Sequence, residues 1–172
     1  NKQTLVNFLS ILDKRNKLPE KIIFASTISV YGEKIDNIIY TEESQKDPFS
    51  PYAITKLEAE EYLIKNYISK SWLLRFAPVY EKNFQLNIDR RTKILKFKFR
   101  VSDGVKKLSL CNIENIGTVI ESIIRGKIPT GVYNVSDTVA YSYNDLLKYV
   151  KSKRAIPIPS ILAKGLLLIG EK

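Results

Sequence analysis

Tyr52 and Lys56 stand four residues apart in a stretch of good helix formers, a spacing that puts both side chains on one helix face and lets them act on one ligand. Such a pair offers proton transfer. A free phenol has a pKa of about 10 and is a poor base near neutrality, and a neighbouring ammonium favours the tyrosinate. Lys56 supplies that charge. Alone, the pair is a common coincidence of helix surfaces, where most polar neighbours do little. Its surroundings add a hydroxyl: Ser26-Thr27 closes a short apolar run one connection before Tyr52, near enough to bring Thr27 toward the phenol.

The elements that must hold these groups can be read from periodicity. Leu5, Phe8, Leu9 and Leu12 recur at helical spacing and predict a helix over residues 3 to 16, with all four on the stripe that faces a sheet. Lys21-Ile22-Ile23-Phe24-Ala25 reads as a buried strand. Pro51 suits the first turn of a helix that runs to about Ser69, and Trp72-Leu73-Leu74-Arg75-Phe76 follows as a second buried strand, ended by Pro78. Helix, strand, helix, strand is the grammar of a parallel sheet, whose ligands sit outside the carboxyl ends of its strands. Thr27 lies at such an end.

The later half reads differently. From Leu95 to Val101 apolar and basic residues alternate, which predicts a strand with Phe97 and Phe99 facing the core and Val105 to Cys111 returning as its hairpin partner after Ser102-Asp103-Gly104. Ile116, Val119, Ile120 and Ile123 mark a helix closed by Gly126, Val132 to Val135 a strand, and Ser142 with Asp145 a capping box. Glu81 to Arg90 reads as a loop, and the tail after Ile156 as a short last helix. The expectation is an α/β chain: a partial doubly wound parallel sheet over residues 1–80, and a smaller α+β region over 81–172.

Composition removes whole classes of chemistry. Among the 172 residues there is no histidine and one cysteine, Cys111, which excludes a Ser-His-Asp triad, a disulfide within the chain and a Cys/His zinc cluster. No metal site is expected. The most apolar stretch, Ile156 to Gly170, contains Pro157, Pro159 and Lys164, so no membrane span is expected, and the opening has no signal-peptide pattern. Cytoplasm is the default compartment. Net charge is +10, concentrated between Arg90 and Lys107, which favours anionic partners. Nucleic acid is not expected, because alternation puts Phe97 and Phe99 inside rather than on a stacking surface.

With these residues in place, the sequence resembles the extended short-chain dehydrogenase/reductases, and within them the NAD-dependent nucleotide-sugar epimerase/dehydratase group. Ser26-Thr27-x-x-Val30-Tyr31-Gly32 is similar to that family's strand-end motif, and Pro51-Tyr52-Ala53-Ile54-Thr55-Lys56 to its Tyr-x-x-x-Lys element. Leu73 to Tyr80 is similar to the next strand and cofactor loop, Ser109 to Ile116 to a later substrate-domain segment, and Gly131 to Val135 to the strand after it. The resemblance covers nearly the whole chain. What it lacks is Gly-x-x-Gly-x-x-Gly, the cradle of the dinucleotide pyrophosphate. Methionine is absent as well, and the chain is expected to be the carboxyl-terminal part of a longer enzyme, inactive alone.

The resemblance implies a partial Rossmann-like fold, NAD as cofactor with NADP left open, and a nucleoside-diphosphate sugar as substrate. It implies Thr27, Tyr52 and Lys56 as catalytic residues, and Ala25, Ser26, Tyr52, Lys56, Phe76, Pro78 and Val79 as cofactor contacts. Thr27, Ser29, Ala77 and Lys107 are the implied substrate contacts. Dehydratases of the family follow the threonine with Asp-Glu, whereas this chain has Ile28-Ser29, so epimerisation through a transient keto-sugar is expected first and a keto-sugar reductase second. Ala77 and Glu81 also depart from residues usual in the family, Asn and Gly. A non-catalytic basic binding module is the remaining alternative. Family members pair two helices across a two-fold axis, and the apolar surplus on residues 3–16 and 51–69 suggests the same homodimer here.

Overall fold

In the computed structural model, Leu9 of α1 (Lys2–Lys14), Ile22 of β1 (Ile22–Thr27), Leu63 of α2 (Pro51–Tyr67) and Leu73 of β2 (Ser71–Phe76) meet in one buried cluster. Leu5, Leu12, Leu18, Phe24, Tyr62, Tyr67 and Val132 pack around it. Burial of each such large side chain contributes about 1.5–3 kcal/mol, and this cluster lays both helices on the sheet. Phe8 departs from the expected stripe and is 58% exposed. The structure describes residues 2–32, 38–152, 154–160 and 162.

The chain divides into two compact units, one formed by the described parts of residues 1–34, 39–77 and 114–135, the other by those of 35–38, 78–113 and 136–172. The first unit takes in a stretch beyond residue 80. Glu114–Val135 joins the first unit because β8 (Gly131–Val135) pairs with β2. The first unit's sheet runs β1-β2-β8, all parallel, with Ser26 opposite Arg75 and Arg75 opposite Asn134. Parallel neighbours need crossovers, and α2 and α4 (Ile113–Ile124) occupy them. Lys21 donates to the carbonyls of Ile123 and Ile124 at 2.9 and 3.1 Å, placing a cation at the α4 carboxyl end where the helix dipole favours it.

Two local devices shape the first unit. Ser50 accepts from the Ala53 backbone N–H at 3.2 Å and Pro51 takes the first turn, so α2 starts one residue before Tyr52. Gly32 has φ +88° and a Cβ there would lie 2.6 Å from the Asp47 carbonyl oxygen, so only glycine fits where the chain leaves the 3-10 turn Ile28–Tyr31. After Tyr67, a 3-10 turn over Ile68–Lys70 ends the helical stretch at the residue expected, within one.

The second unit contains β3 (Val79–Tyr80), α3 (Leu86–Thr92), β4 (Lys93–Ile94), β5 (Phe97–Val101), β6 (Lys107–Leu108), β7 (Cys111–Asn112), β9 (Tyr141–Ser142), α5 (Tyr143–Tyr149) and β10 (Ile156–Ile158). The expected hairpin is not formed. β5 pairs antiparallel with β4 and parallel with β10, while β6 pairs with β9. Short strands with few ladder bonds follow their packing partners, and Phe99 and Val101 bury against Tyr143. Phe97 is 53% exposed, at the edge of its strand, and not in the core. Glu81 to Arg90, read as a loop, contains most of α3, whose Ile88 packs on Leu110 and Leu146. Ile156–Ile158 is a strand, and the expected last helix falls mostly outside the described residues. The capping box forms as expected, with Ser142 and Asp145 each accepting from the other's backbone N–H.

Asp137 organises this unit's polar interior. Its carboxylate accepts from Tyr80 at 2.9 Å, Tyr141 at 2.8 Å and the Asn112 backbone N–H at 2.8 Å. Burial first, and Asp137 with it, holds the Tyr80 phenol above its ordinary pKa.

Candidate active site

Tyr52 and Lys56 lie on the first two turns of α2. Tyr52 is 56% exposed. Lys56 lies over the Phe24 ring, 4.9 Å from its centroid, and 5.7 Å from the centroid of the Tyr52 ring. Its ammonium donates to the Ala25 carbonyl at 2.7 Å. Burial lowers the Lys56 pKa, and the charge of Glu60 opposes that fall. A hollow of about 450 Å³ opens here, lined by Thr4 and Phe8 of α1, Phe24 of β1, and Tyr52, Thr55 and Lys56 of α2 among others.

Thr27 is the last residue of β1. Its Oγ1 accepts from the Ser29 backbone N–H at 3.2 Å and lies 3.3 Å from the Ser29 hydroxyl, capping the 3-10 turn that follows. Ser29 is thereby held beside Thr27. Phe76 ends β2, and Ala77 just after it is fully buried with its N–H donated to Val135 O at 2.9 Å. Pro78, Val79 and Lys107 belong to the second unit. There Val79 pairs with Cys111, and the exposed Lys107 reaches the Ala140 carbonyl at 3.4 Å.

Ser26, expected as a cofactor contact, is buried and donates to the Glu60 carboxylate. It belongs to a polar row that the motifs did not reveal. Arg75, opposite Ser26 in register, binds Glu60 through Nε at 3.1 Å to both oxygens and through Nη2 at 2.6 Å. Its Nη1 donates to Tyr31 at 2.7 Å and to the Glu42 carbonyl at 3.1 Å. Tyr31 in turn donates to Asn134 at 2.7 Å, and the Asn134 backbone N–H donates to the Glu42 carboxylate at 2.7 Å. Burial pushes the Arg75 pKa down, and Glu60 and Tyr31 together push it up by more. The available signals were an arginine inside an otherwise apolar strand and a glutamate one turn beyond Lys56 on the same helix face.

The family model described as GDP-mannose 4,6 dehydratase matches residues 2–116. Among solved structures, UDP-glucuronic acid 4-epimerase from Bacillus cereus in complex with NAD is 27% identical, with a TM-score of 0.68 over 91% of this chain and 54% of that one. UDP-N-acetylglucosamine 4-epimerase from Methanobrevibacter ruminantium, in complex with UDP-N-acetylmuramic acid, is 24% identical with a TM-score of 0.65, covering 95% of this chain and 61% of that one. A dTDP-glucose 4,6-dehydratase from Bacillus anthracis in complex with NAD is 16% identical, with a TM-score of 0.65 over 91% of this chain and 54% of that one. The last two show the shared fold. Comparison with curated proteins gave no match. The chain spans about half the length of the solved structures that it matches. With the family match running through β1, α2 and β2, the chain belongs to the GDP-mannose 4,6 dehydratase family, among the NAD-dependent epimerase/dehydratases of the short-chain dehydrogenase/reductase type.

Proposed function

We propose that the protein to which this chain belongs is an NAD-dependent epimerase of a nucleoside-diphosphate sugar. The observation that carries the reading is the exposed Tyr52 side chain one helical turn from Lys56, whose ammonium is seated on the Ala25 carbonyl of β1, two residues before that strand ends. The similar UDP-glucuronic acid 4-epimerase is named for a UDP-sugar, and that substrate class is the one we assign.

The residues fit a nicotinamide cofactor. An ammonium has three donors and Ala25 takes one, so Lys56 can also hold a ribose hydroxyl beside the exposed Tyr52. A bound NAD would supply the hydride acceptor and donor for the sugar carbon. Tyr52, favoured as tyrosinate by the Lys56 charge, accepts the proton of the sugar hydroxyl at its Oη, and gives it back as the ketone is reduced from its other face. Thr27 holds the substrate oxygen through its hydroxyl. Ile28 and Ser29 offer no carboxyl group for eliminating water, so dehydration is not the assigned reaction despite the family's description. The chain carries no Gly-x-x-Gly-x-x-Gly, so NAD affinity by this stretch alone is expected to be weak.

The test is turnover by the complete protein with a panel of UDP-sugars, alongside Tyr52→Phe. Epimer formation that disappears in the variant while nucleotide binding persists supports the mechanism. Unchanged turnover in Tyr52→Phe ends it.

A further inference from the structure

Ser26, Arg75 and Asn134 form one straight row across the three parallel strands, each opposite the next in register. The row lies one residue before the strands end at Thr27, Phe76 and Val135. At the row's β1 end it grips α2. Ser26 and Arg75 both bind the Glu60 carboxylate, whose side chain is 0% exposed. Glu60 is four residues beyond Lys56, hence on the same face of α2 one turn along. Strand and helix are therefore tied twice at adjacent positions: the Ala25 carbonyl accepts from Lys56, and the Ser26 hydroxyl donates to Glu60.

We propose that Glu60 is a positioning residue for Lys56: gripped by Ser26 and Arg75, its carboxylate fixes the turn of α2 that seats the Lys56 ammonium against the Ala25 carbonyl. The inference rests on reading Lys56 as the cation that serves Tyr52. Other neighbours of Lys56 leave this task to Glu60. From β1 it meets the Phe24 ring and the Ala25 carbonyl, from α1 the hollow brings Thr4 and Phe8, and on α2 its titratable neighbours are Tyr52 and Glu60. Burial works against the ammonium, and the negative charge one turn away works for it. Arg75 keeps that charge from standing alone in the interior, and its fork points the carboxylate.

The geometry makes opposite demands on the two partners of the ion pair. Glu60→Gln keeps the shape, removes the negative charge and leaves Arg75 positive, so the Lys56 pKa falls. Arg75→Met removes the positive charge that opposes Glu60, so the Lys56 pKa rises. A role confined to filling space would move neither. The experiment is an NMR titration of the intact protein with 13C-labelled lysine, the Lys56 signal being assigned by its loss in Lys56→Arg. Shifts of opposite sign support the proposal. Parental titration of Lys56 in both folded variants, or shifts of the same sign, overturns it. Where removal of one charge unfolds the protein, Glu60→Asp keeps the charge and draws it back by one methylene. A smaller fall in the Lys56 pKa is then expected, and a parental value overturns the proposal. Inactivity of the complete protein toward every UDP-sugar would end the functional reading while leaving this titration to be judged by itself.

Discussion

Glu60 and Arg75 face each other in a two-pronged ion pair, Nη2 to Oε2 at 2.6 Å, with side chains 0% and 2% exposed. Removing water from both ions is costly, and the pair repays this only because Ser26, Tyr31 and the Glu42 carbonyl use the remaining hydrogen-bonding capacity. Deleting one partner strands the other. Arg75→Ala is expected to cost about 3 kcal/mol or more, and the neutral double variant Glu60→Gln with Arg75→Met less than Arg75→Ala. Urea unfolding of the purified chain measures both. A double variant as unstable as Arg75→Ala would show that shape, and not an uncompensated charge, sets the cost.

Thr27 has a structural duty besides its proposed contact with the substrate, because its Oγ1 caps the turn Ile28–Tyr31. Thr27→Val removes both, with an expected stability loss of about 1 kcal/mol and a fall in turnover of about 100-fold. Thr27→Ser restores the hydroxyl and is expected to recover most of each. The two effects separate on measuring kcat beside the melting temperature: full activity in a destabilised Thr27→Val protein would assign Thr27 to the fold alone.

Cys111 is fully buried at the start of β7, and burial, aided by the nearby Asp137 charge, raises its pKa from 9.0 to about 11. The thiol, not the thiolate, is the form that folding favours. A group whose folded pKa is raised contributes stability that is complete below the unfolded value and is lost as pH rises, here between about 9 and about 11. Unfolding midpoints measured over pH 8 to 11 should therefore fall faster in the parent than in Cys111→Ala. At pH 8 the native thiol should react with an aromatic disulfide reagent far more slowly than the unfolded chain does.

How much of this was legible depended on whether a residue's role was local. The spacing of Tyr52 and Lys56, the helix start at Pro51, and the apolar strands ending at Thr27 and Phe76 are properties of short segments, and each is present in the structure. The buried row was not legible as a row, since Ser26, Arg75 and Asn134 become neighbours only when the register of three strands is set. The second unit was hardest for the same reason. Alternation around Phe97 and Phe99 gave a strand correctly, but its partners, β4 and β10, lie on both sides of it in the chain, and two-residue strands carry no pattern of their own. Phe97 kept the alternation and lost the core: the Lys96 ammonium lies 6.0 Å from its ring centroid and leaves it half exposed, whereas Phe99 is buried beside Tyr143.

The helices that build the site also carry apolar surface that the first unit does not bury. Phe8 and Ile11 on α1, at 58% and 51% exposure, and Ile64 on α2 with Ile68 just beyond it, at 41% and 39%, stand outside the cluster around Leu9 and Leu63. Soluble chains seldom leave a continuous patch of more than a few hundred Å² uncovered, and closed two-fold pairing is the commonest way to cover one. We therefore expect two copies to pair through α1 and α2 as a four-helix bundle. A carboxylate at Ile64 or Ile68 would have to be desolvated in that interface without a partner, a cost that exceeds what either isoleucine gains by burial. Ile64→Glu with Ile68→Glu should convert a dimer to a folded monomer, read by light scattering with circular dichroism as the check on folding. A parent that is monomeric at high micromolar concentration, or a dimer that survives both substitutions, removes this interface.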